Sequence, residues 1–417
     1  MPASDSTPPA RWPSRRILLV DADAFFVAVA RLEDPEGAGR ARLLIVGGAP
    51  GSRGVVCSAS YETRQFGVRS AMPISRALRL CPGATCVPVP RAACGRKSRE
   101  IAAVLERFAP VVECASIDEW YLDLTGTEGI YAGRSLADVA VMIRDAVRTE
   151  TSLGVSIGGG TSRLVAKLAV EHAKPKADRP TNGVFVVPDG EEQAFMSGLT
   201  LAELPGIGPK SRERLDRVGL RTVADVLAHD IPTLARLIGE REAHWLHERV
   251  RGIDRTPVEH RDVSKSISRE ETFDTDLSSD DDLERELLRL VVRAASDLRS
   301  DGLAARTITV KLRDADFKTR QASRTLPNPV IADRVILATA RSLLGRLRRA
   351  RRVSARLLGV SLSSLDPADL ETQLSLFAVP SESVETERDR ALAGAVDKLR
   401  AKFGTSAIVP GRLTQRR

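Results

Sequence analysis

Ser116-Ile117-Asp118-Glu119-Trp120-Tyr121-Leu122-Asp123 sets two adjacent carboxylates at the mouth of an apolar, β-prone run, with Val111-Val112 before it and Tyr121-Leu122 in its return. An unpaired charge in such a setting is costly to bury, so the pair needs a cation. Far upstream, Ile17-Leu18-Leu19-Val20-Asp21-Ala22-Asp23 repeats the design, an apolar strand running straight into acid. Two acid-tipped strands predict a metal site. Residues two apart in a strand share a face, so Asp21 and Asp23 can point the same way, with a backbone carbonyl between them as a further oxygen ligand. A turn or helix cap built of Asp residues accounts for the same letters. The chain reverses near Ser116-Ile117-Asp118, which relaxes strict alternation. That freedom lets Asp118 and Glu119 approach one site, although neighbours in a regular strand diverge.

The chain has 417 residues and 42% hydrophobic content, enough for several cores and roughly two to four domains. Its net charge of +8, carried largely by Arg, favours a polyanionic partner. Nucleic acid is the first such partner and an acidic membrane surface the second. Met1 to Ser14 is rich in Pro, Ser and Ala without an apolar core, which predicts neither a signal peptide nor an anchor. No run reaches the length of a transmembrane helix. Cys57, Cys81, Cys86, Cys94 and Cys114 are odd in number and contain no Cys-x-x-Cys. They predict reduced thiols rather than a disulfide framework or a zinc knuckle.

After the first strand, Phe25-Phe26 begins a helical pattern that ends near Asp34-Pro35. Two more strands lead to Tyr61-Glu62-Thr63-Arg64, where Tyr61 and Arg64 lie one helical turn apart. That spacing lets a phenol and a guanidinium grip one phosphate, though an exposed Arg packed beside a half-buried Tyr fits equally. Gly158-Gly159-Gly160-Thr161 looks like a phosphate loop, but the lysine of a Walker motif is missing and that reading fails. Thr161 is read instead as the cap of a helix over 162–173, which carries Lys167 and stops at Lys174-Pro175. Lys167 is either solvated or phosphate-binding. Leu204-Pro205-Gly206-Ile207-Gly208-Pro209-Lys210, followed by a helical pattern closed by Gly219, matches a helix-hairpin-helix whose turn offers backbone amides to a DNA phosphate. His244 and His247 lie three apart without a third ligand nearby and are read as surface residues. Residues 253–265 read as a linker. The order βαββαβ over 268–362 then predicts a ferredoxin-like unit. In its third element Ile308, Val310 and Leu312 alternate with Thr307, Thr309, Lys311 and Arg313, giving a basic outward face able to track phosphates. In the tail, Gln373-Leu374-Ser375-Leu376-Phe377 has apolar anchors suited to a partner's groove, or to packing back on its own domain.

Asp21-x-Asp23-x-Phe25-Phe26, Tyr61-Glu62-x-Arg64-x-x-Gly67-Val68, Ser116-Ile117-Asp118-Glu119-x-Tyr121-Leu122-Asp123 and Ala166-Lys167-Leu168-Ala169 occur in that order. Together they resemble the Y-family translesion DNA polymerases, in their bacterial polymerase IV (DinB) branch. Leu204 to Lys210, Lys265-Ser266 and Gln373 to Phe377 extend the resemblance over roughly residues 16–377.

The resemblance implies an α+β, multidomain right-hand polymerase. Its parts would be a flexible N-terminus (1–15), a palm (16–24 and 92–181), fingers (25–91), a helical thumb (182–252), a linker (253–265), a ferredoxin-like little finger (266–365) and a tail (366–417). Asp21, Asp118 and Glu119 would be catalytic and hold two Mg²⁺ ions, or Mn²⁺ in their place, with the Ala22 carbonyl as a further ligand. Ser58, Tyr61, Arg64 and Lys167 would bind the triphosphate, and Phe26 would be the steric gate against ribonucleotides. Gly206, Gly208, Lys210, Lys311 and Arg313 would contact DNA, and Gln373, Leu374, Ser375, Leu376 and Phe377 the replication sliding clamp (beta clamp). The implied activity is low-fidelity, distributive, template-directed addition of deoxynucleoside triphosphates to a primer–template, in translesion synthesis and damage tolerance. The resemblance further implies a monomer, cytoplasmic and nucleoid-associated, with no membrane partner. A catalytically silent relative that only bridges DNA and clamp is the alternative, and it predicts missing acids that are here present. Three departures stand out: Trp120 where the branch has a small residue, the glycine-rich 158–162, and an insertion at 176–181.

Overall fold

The apolar run that opens the chain forms β1 (Ile17–Ala22), buried throughout and central in a five-stranded sheet. This computed structural model describes residues 15–175, 181–260, 264–368 and 385–414. After β1 come α1 (Phe25–Glu33), β2 (Leu44–Gly47), β3 (Val56–Ala59), α2 (Tyr61–Arg64), α3 (Ile74–Leu80), β4 (Thr85–Val87) and α4 (Arg91–Leu105). There follow β5 (Val111–Cys114), β6 (Glu119–Asp123), α5 (Leu136–Thr151), β7 (Val155–Gly160), α6 (Arg163–Ala173) and β8 (Val184–Val186). The sheet order is β5-β6-β1-β7-β8, and β1 is antiparallel to both its neighbours. On one face α4 and α5 close a core with Leu18, Val20, Trp120 and Leu122. On the other, Ile17, Leu19 and Tyr121 pack on Ala166 and Val170 of α6. A smaller three-stranded sheet, β3-β2-β4, has its own core. Helix α1 serves both parts, with Phe25 and Val29 in the large sheet's core and Val27 and Ala30 in the small sheet's, so 24/25 is not a clean boundary.

Three expectations change here. Gly158, Gly159 and Gly160 form no loop; they are buried within β7. A Cβ at Gly158 would lie 2.2 Å from the Val170 nitrogen and 2.3 Å from the Ala166 carbonyl oxygen, so the glycine lets α6 lie directly on the strand. The cap of α6 is Ser162 rather than Thr161; its side chain accepts from the Val165 N–H at 3.2 Å. The boundary after 181 falls ahead of β8, which pairs in parallel with β7 and so belongs to the sheet.

A helical segment follows: α7 (Glu192–Ser197), α8 (Pro209–Arg217), α9 (Val223–Leu227), α10 (Ile231–Ile238) and α11 (Glu240–Arg249), around a core of Leu204, Leu215, Val226, Leu234 and Leu246. The first part of the expected linker is fastened rather than free. Val258 is buried beside Tyr121. Arg163 forks onto buried Glu113 and donates to the Pro257 carbonyl at 2.8 Å, while the Glu259 N–H donates to Glu113 at 3.1 Å.

Residues 1–261 form one compact unit and 262–417 a second. The second contains β9 (Ser266–Leu277), α12 (Asp280–Ser300), β10 (Leu303–Asp314), β11 (Thr319–Val330), α13 (Asp333–Ala350), β12 (Ala355–Pro367) and α14 (Glu387–Phe403). The sheet order β11-β10-β12-β9, antiparallel throughout, splits each βαβ crossover with a strand of the other, as the βαββαβ reading expects, but its central strands are the second and fourth where a ferredoxin-like sheet has the first and third. Ile308, Val310 and Leu312 are buried in the core shared with α12 and α13. The opposite face is richer in hydroxyls than in charge. Thr307 meets Thr325 at 2.9 Å and Thr309 meets Ser323 at 2.9 Å, while Lys311 is paired with Glu270. Strand β12 runs to Pro367, past the strand end expected at 362 and the domain end expected at 365. Gln373 to Phe377 lie outside the described residues.

Candidate active site

β1 delivers Asp21 to the end of the sheet between two partners, in register with Glu119 of β6 and Ser156 of β7. Directly paired residues share a face, so Asp21 and Glu119 both point toward α6, and Trp120 points the other way. Trp120 is fully buried, and its indole N–H has no partner among the described residues. The unusual residue beside Glu119 thus fills the core behind the hairpin and leaves the site open.

Asp118 sits in the reversal, not in the strand. The Ala22 N–H donates to the Asp118 carbonyl at 2.9 Å, and Ala115 and Ser116 both donate to the Glu119 carbonyl. Ser116 Oγ donates to Asp118 Oδ1 at 2.6 Å. A turn position escapes strand alternation, and so two sequence neighbours reach one space. That space is a cavity of about 1120 Å³ lined by Asp21, Ala22, Asp23, Phe26, Ser58, Tyr61, Arg64, Asp118, Glu119 and Lys174, among others.

Burial pushes the Asp21 carboxyl up to about 6, against the pull of Lys174, whose Nζ lies 2.9 Å from Oδ2. Burial also works against a charged Lys174, but Asp21 and Glu171 outweigh it and hold the ammonium above its usual range. Asp23 is raised by burial, opposed by Ser156, whose Oγ donates to it at 2.7 Å. Burial and the nearby Asp23 charge push the Tyr61 phenol up to about 12, so it remains a hydrogen-bond donor at neutral pH. Arg64 lies 4.9 Å from the Tyr61 ring centroid and is tied through Nε to the Ala59 carbonyl at 2.9 Å, which directs its fork. Ser60 caps α2 and fixes both residues' helical turn.

Lys167, expected to bind the triphosphate, sits beside the cavity, close enough for its charge to act on Asp21. Its Nζ is ion-paired with Glu119 and it does not line the cavity. Lys174, read from sequence only as a helix stop, is the lysine that does. Two other features escaped the sequence reading. Ala24 turns β1 into α1 through a left-handed conformation (φ 46°, ψ 45°) that β-carbon sterics disfavour. The amino end of α1 beyond it carries no side-chain cap, which leaves backbone N–H groups for a ligand. No local signal marks either one.

Among the described residues no three His, Cys, Asp or Glu side chains are grouped to hold a metal ion. Lysines lie against Asp21 and Glu119, and Asp118 is turned to Ser116. The donor chemistry nevertheless fits Mg²⁺, because carboxylate and carbonyl oxygens are the ligands of hard cations. A carboxyl raised to about 6 by burial is also one that a bound cation would relieve.

In the helical segment, Gly206 has φ +97°, and a Cβ there would come 3.0 Å from the Trp245 ring, so the turn requires glycine. Gly208 caps α8 over open space and Lys210 is exposed, leaving the turn's amides approachable.

The impB/mucB/samB family matches residues 20–171, its C-terminal domain residues 264–376, and a DNA polymerase-iota thumb domain residues 202–254. The chain is 37% identical over 402 residues to the DNA polymerase IV of Dehalococcoides mccartyi (strain CBDB1), covering 95% of this chain and 97% of that protein. The chain belongs to the Y-family of translesion DNA polymerases. It is 39% identical over 361 residues to the DNA polymerase IV of Halorhodospira halophila, covering 86% and 98%. Its fold is similar to that of a solved Y-family polymerase chimera of Dbh and Dpo4, at 25% identity and a TM-score of 0.74, covering 84% and 98%. An insertion ternary complex of Dbh polymerase matches at 26% identity and a TM-score of 0.59. This Y-family chain is therefore a DNA-directed DNA polymerase, and divalent-metal dependence is general to its family. Among its described residues no helix is long and apolar enough to cross a membrane.

Proposed function

We propose that the cavity at the end of β1 is where this polymerase adds a deoxynucleotide to a primer 3′-hydroxyl. The observation that carries the reading is the convergence of Asp21, Asp118 and Glu119 on one cavity that also receives Phe26, Tyr61, Arg64 and Lys174. The three carboxylates, with the Ala22 carbonyl, would hold two Mg²⁺ ions. When bound, these would lower the hydroxyl's pKa and neutralise the triphosphate.

The chain's own groups then divide the substrate. Lys174, Arg64, the Tyr61 phenol and Ser58 would take the triphosphate oxygens together with the uncapped amino end of α1. Lys167, ion-paired with Glu119, would keep that carboxylate aimed at the site. Phe26 would stand against the sugar where a 2′-hydroxyl would project. Gly206, Gly208 and Lys210 would hold duplex phosphates, and the sheet face with Lys311 and Arg313 would follow them without reading sequence. Gln373 to Phe377 would dock on the sliding clamp, with the enzyme acting as a monomer in the cytoplasm and on the nucleoid. The mode expected of this chain is the low-fidelity, distributive synthesis of its family.

The test is single-nucleotide incorporation with matched deoxy- and ribonucleotides. Phe26→Ala should raise ribonucleotide use by at least about tenfold, a difference of about 1.4 kcal/mol, while deoxynucleotide incorporation persists. Unchanged discrimination would place the sugar elsewhere.

A further inference from the structure

The helical side of the second unit, opposite the sheet face just assigned to duplex DNA, carries a charged pocket that shares no residue with the catalytic cavity. It lies between the amino-terminal part of α12 and the carboxyl-terminal part of α13 and encloses about 430 Å³. Four guanidiniums line it, Arg341, Arg348, Arg349 and Arg352, against two carboxylates, Asp280 and Glu284.

Both carboxylates are already engaged. Asp280 accepts from Arg348 at 2.6 Å and from Arg352 at 2.7 Å, one on each oxygen. Glu284 accepts from Arg412 at 3.0 Å. Arg348 is itself buried, held also by the Ser278 and Val353 carbonyls, and its role is structural. Arg341 and Arg349 keep donors to spare. Arg341 is ion-paired with Glu284 at 3.6 Å, but its Nε is buried without a hydrogen-bond partner among the described residues. Arg349 forms no ion pair or hydrogen bond with another described residue.

Arg341, Gly345 and Arg349 follow one another at single-turn spacing along α13, so they share a face. Gly345 leaves that face bare between the two arginines; a Cβ there would already approach Arg349 Nη1 to 3.3 Å. A bare spot flanked by planar forks with donors to spare suits a tetrahedral oxyanion, since guanidinium pairs with phosphate through parallel hydrogen bonds. The volume admits a phosphate with an attached sugar or a second phosphate.

We propose that this pocket is a second phosphate-binding site, separate from the catalytic cavity. It would take a phosphate-bearing ligand either from a nucleic-acid backbone other than the duplex being extended or as a free polyphosphate or nucleotide.

The test is calorimetric titration of the full chain with sodium tripolyphosphate, in an Arg64→Gln/Lys174→Gln background that silences the catalytic cavity. Arg341→Gln/Arg349→Gln, and independently Gly345→Glu, should weaken tripolyphosphate by at least about tenfold. In the wild-type background both variants should keep their melting temperature and primer extension. A second arm follows binding of a short single-stranded oligonucleotide over a salt series. If the pocket takes backbone phosphates, affinity falls in both variants and the salt slope drops by about 0.7 for each phosphate no longer neutralised; if it takes free phosphates, DNA binding is unchanged while tripolyphosphate binding disappears. Unaltered binding of both ligands by both variants overturns the proposal.

Discussion

Asp21 is held between opposing influences, burial driving its carboxyl up to about 6 and Lys174 drawing it down. Lys174→Gln removes the main opposition to burial and leaves only the weaker pull of Lys167, so the Asp21 pKa should rise further and the acid limb of incorporation should move toward neutral pH. A profile of kcat/KM against pH checks this, and an unmoved limb would contradict it. The sign for stability is separate. The folded pKa lies above the ordinary 3.8, so this group favours folding most when protonated. That contribution is lost as pH rises from 3.8 to about 6 and changes no further above it. That Asp21, Asp118 and Glu119 come to one cavity was legible in sequence because acid at the tip of an apolar strand needs a reason. Lys174 was not, because a lysine before proline at a helix end already has one, and only the packing of α6 on β7 brings it to Asp21.

At the scale of elements, the glycine run shows where local reading misleads. Consecutive glycines signal a turn, yet the demand here is tertiary: α6 must approach β7 backbone to backbone. Gly158→Ala should lower stability by about 1–3 kcal/mol and raise the nucleotide KM, because the displaced helix carries Lys174 at its end. Denaturant unfolding and steady-state kinetics check the two parts, and a variant unchanged in both would contradict the role of close packing. The four strands and two crossover helices of the second unit were legible because β10 alternates cleanly and α12 and α13 keep their period. The fastened stretch up to His260 was not. Its one buried apolar residue, Val258, is too little pattern to read, and its anchor Glu113 lies far off in sequence.

For the whole molecule, the net positive charge and the order of motifs led to nucleic acid and to the family, which identity across nearly the full chain confirms. The charge is distributed less simply than composition suggested, since many arginines are paired within their own unit. Removing residues 373–377 should abolish stimulation by the sliding clamp while leaving unassisted extension unchanged; equal stimulation of the truncated chain would refute docking there. The central claim is that one carboxylate-lined cavity performs nucleotidyl transfer. It is tested most directly by primer extension on an undamaged template with all four deoxynucleotides and Mg²⁺, comparing the wild-type chain with Asp118→Ala. The Asp118 side chain is tied to Ser116 within the hairpin, so its removal should spare the fold and DNA affinity. The predicted result is metal-dependent extension by the wild type and none by the variant at equal primer–template binding. Extension by the variant at a comparable rate would contradict the account.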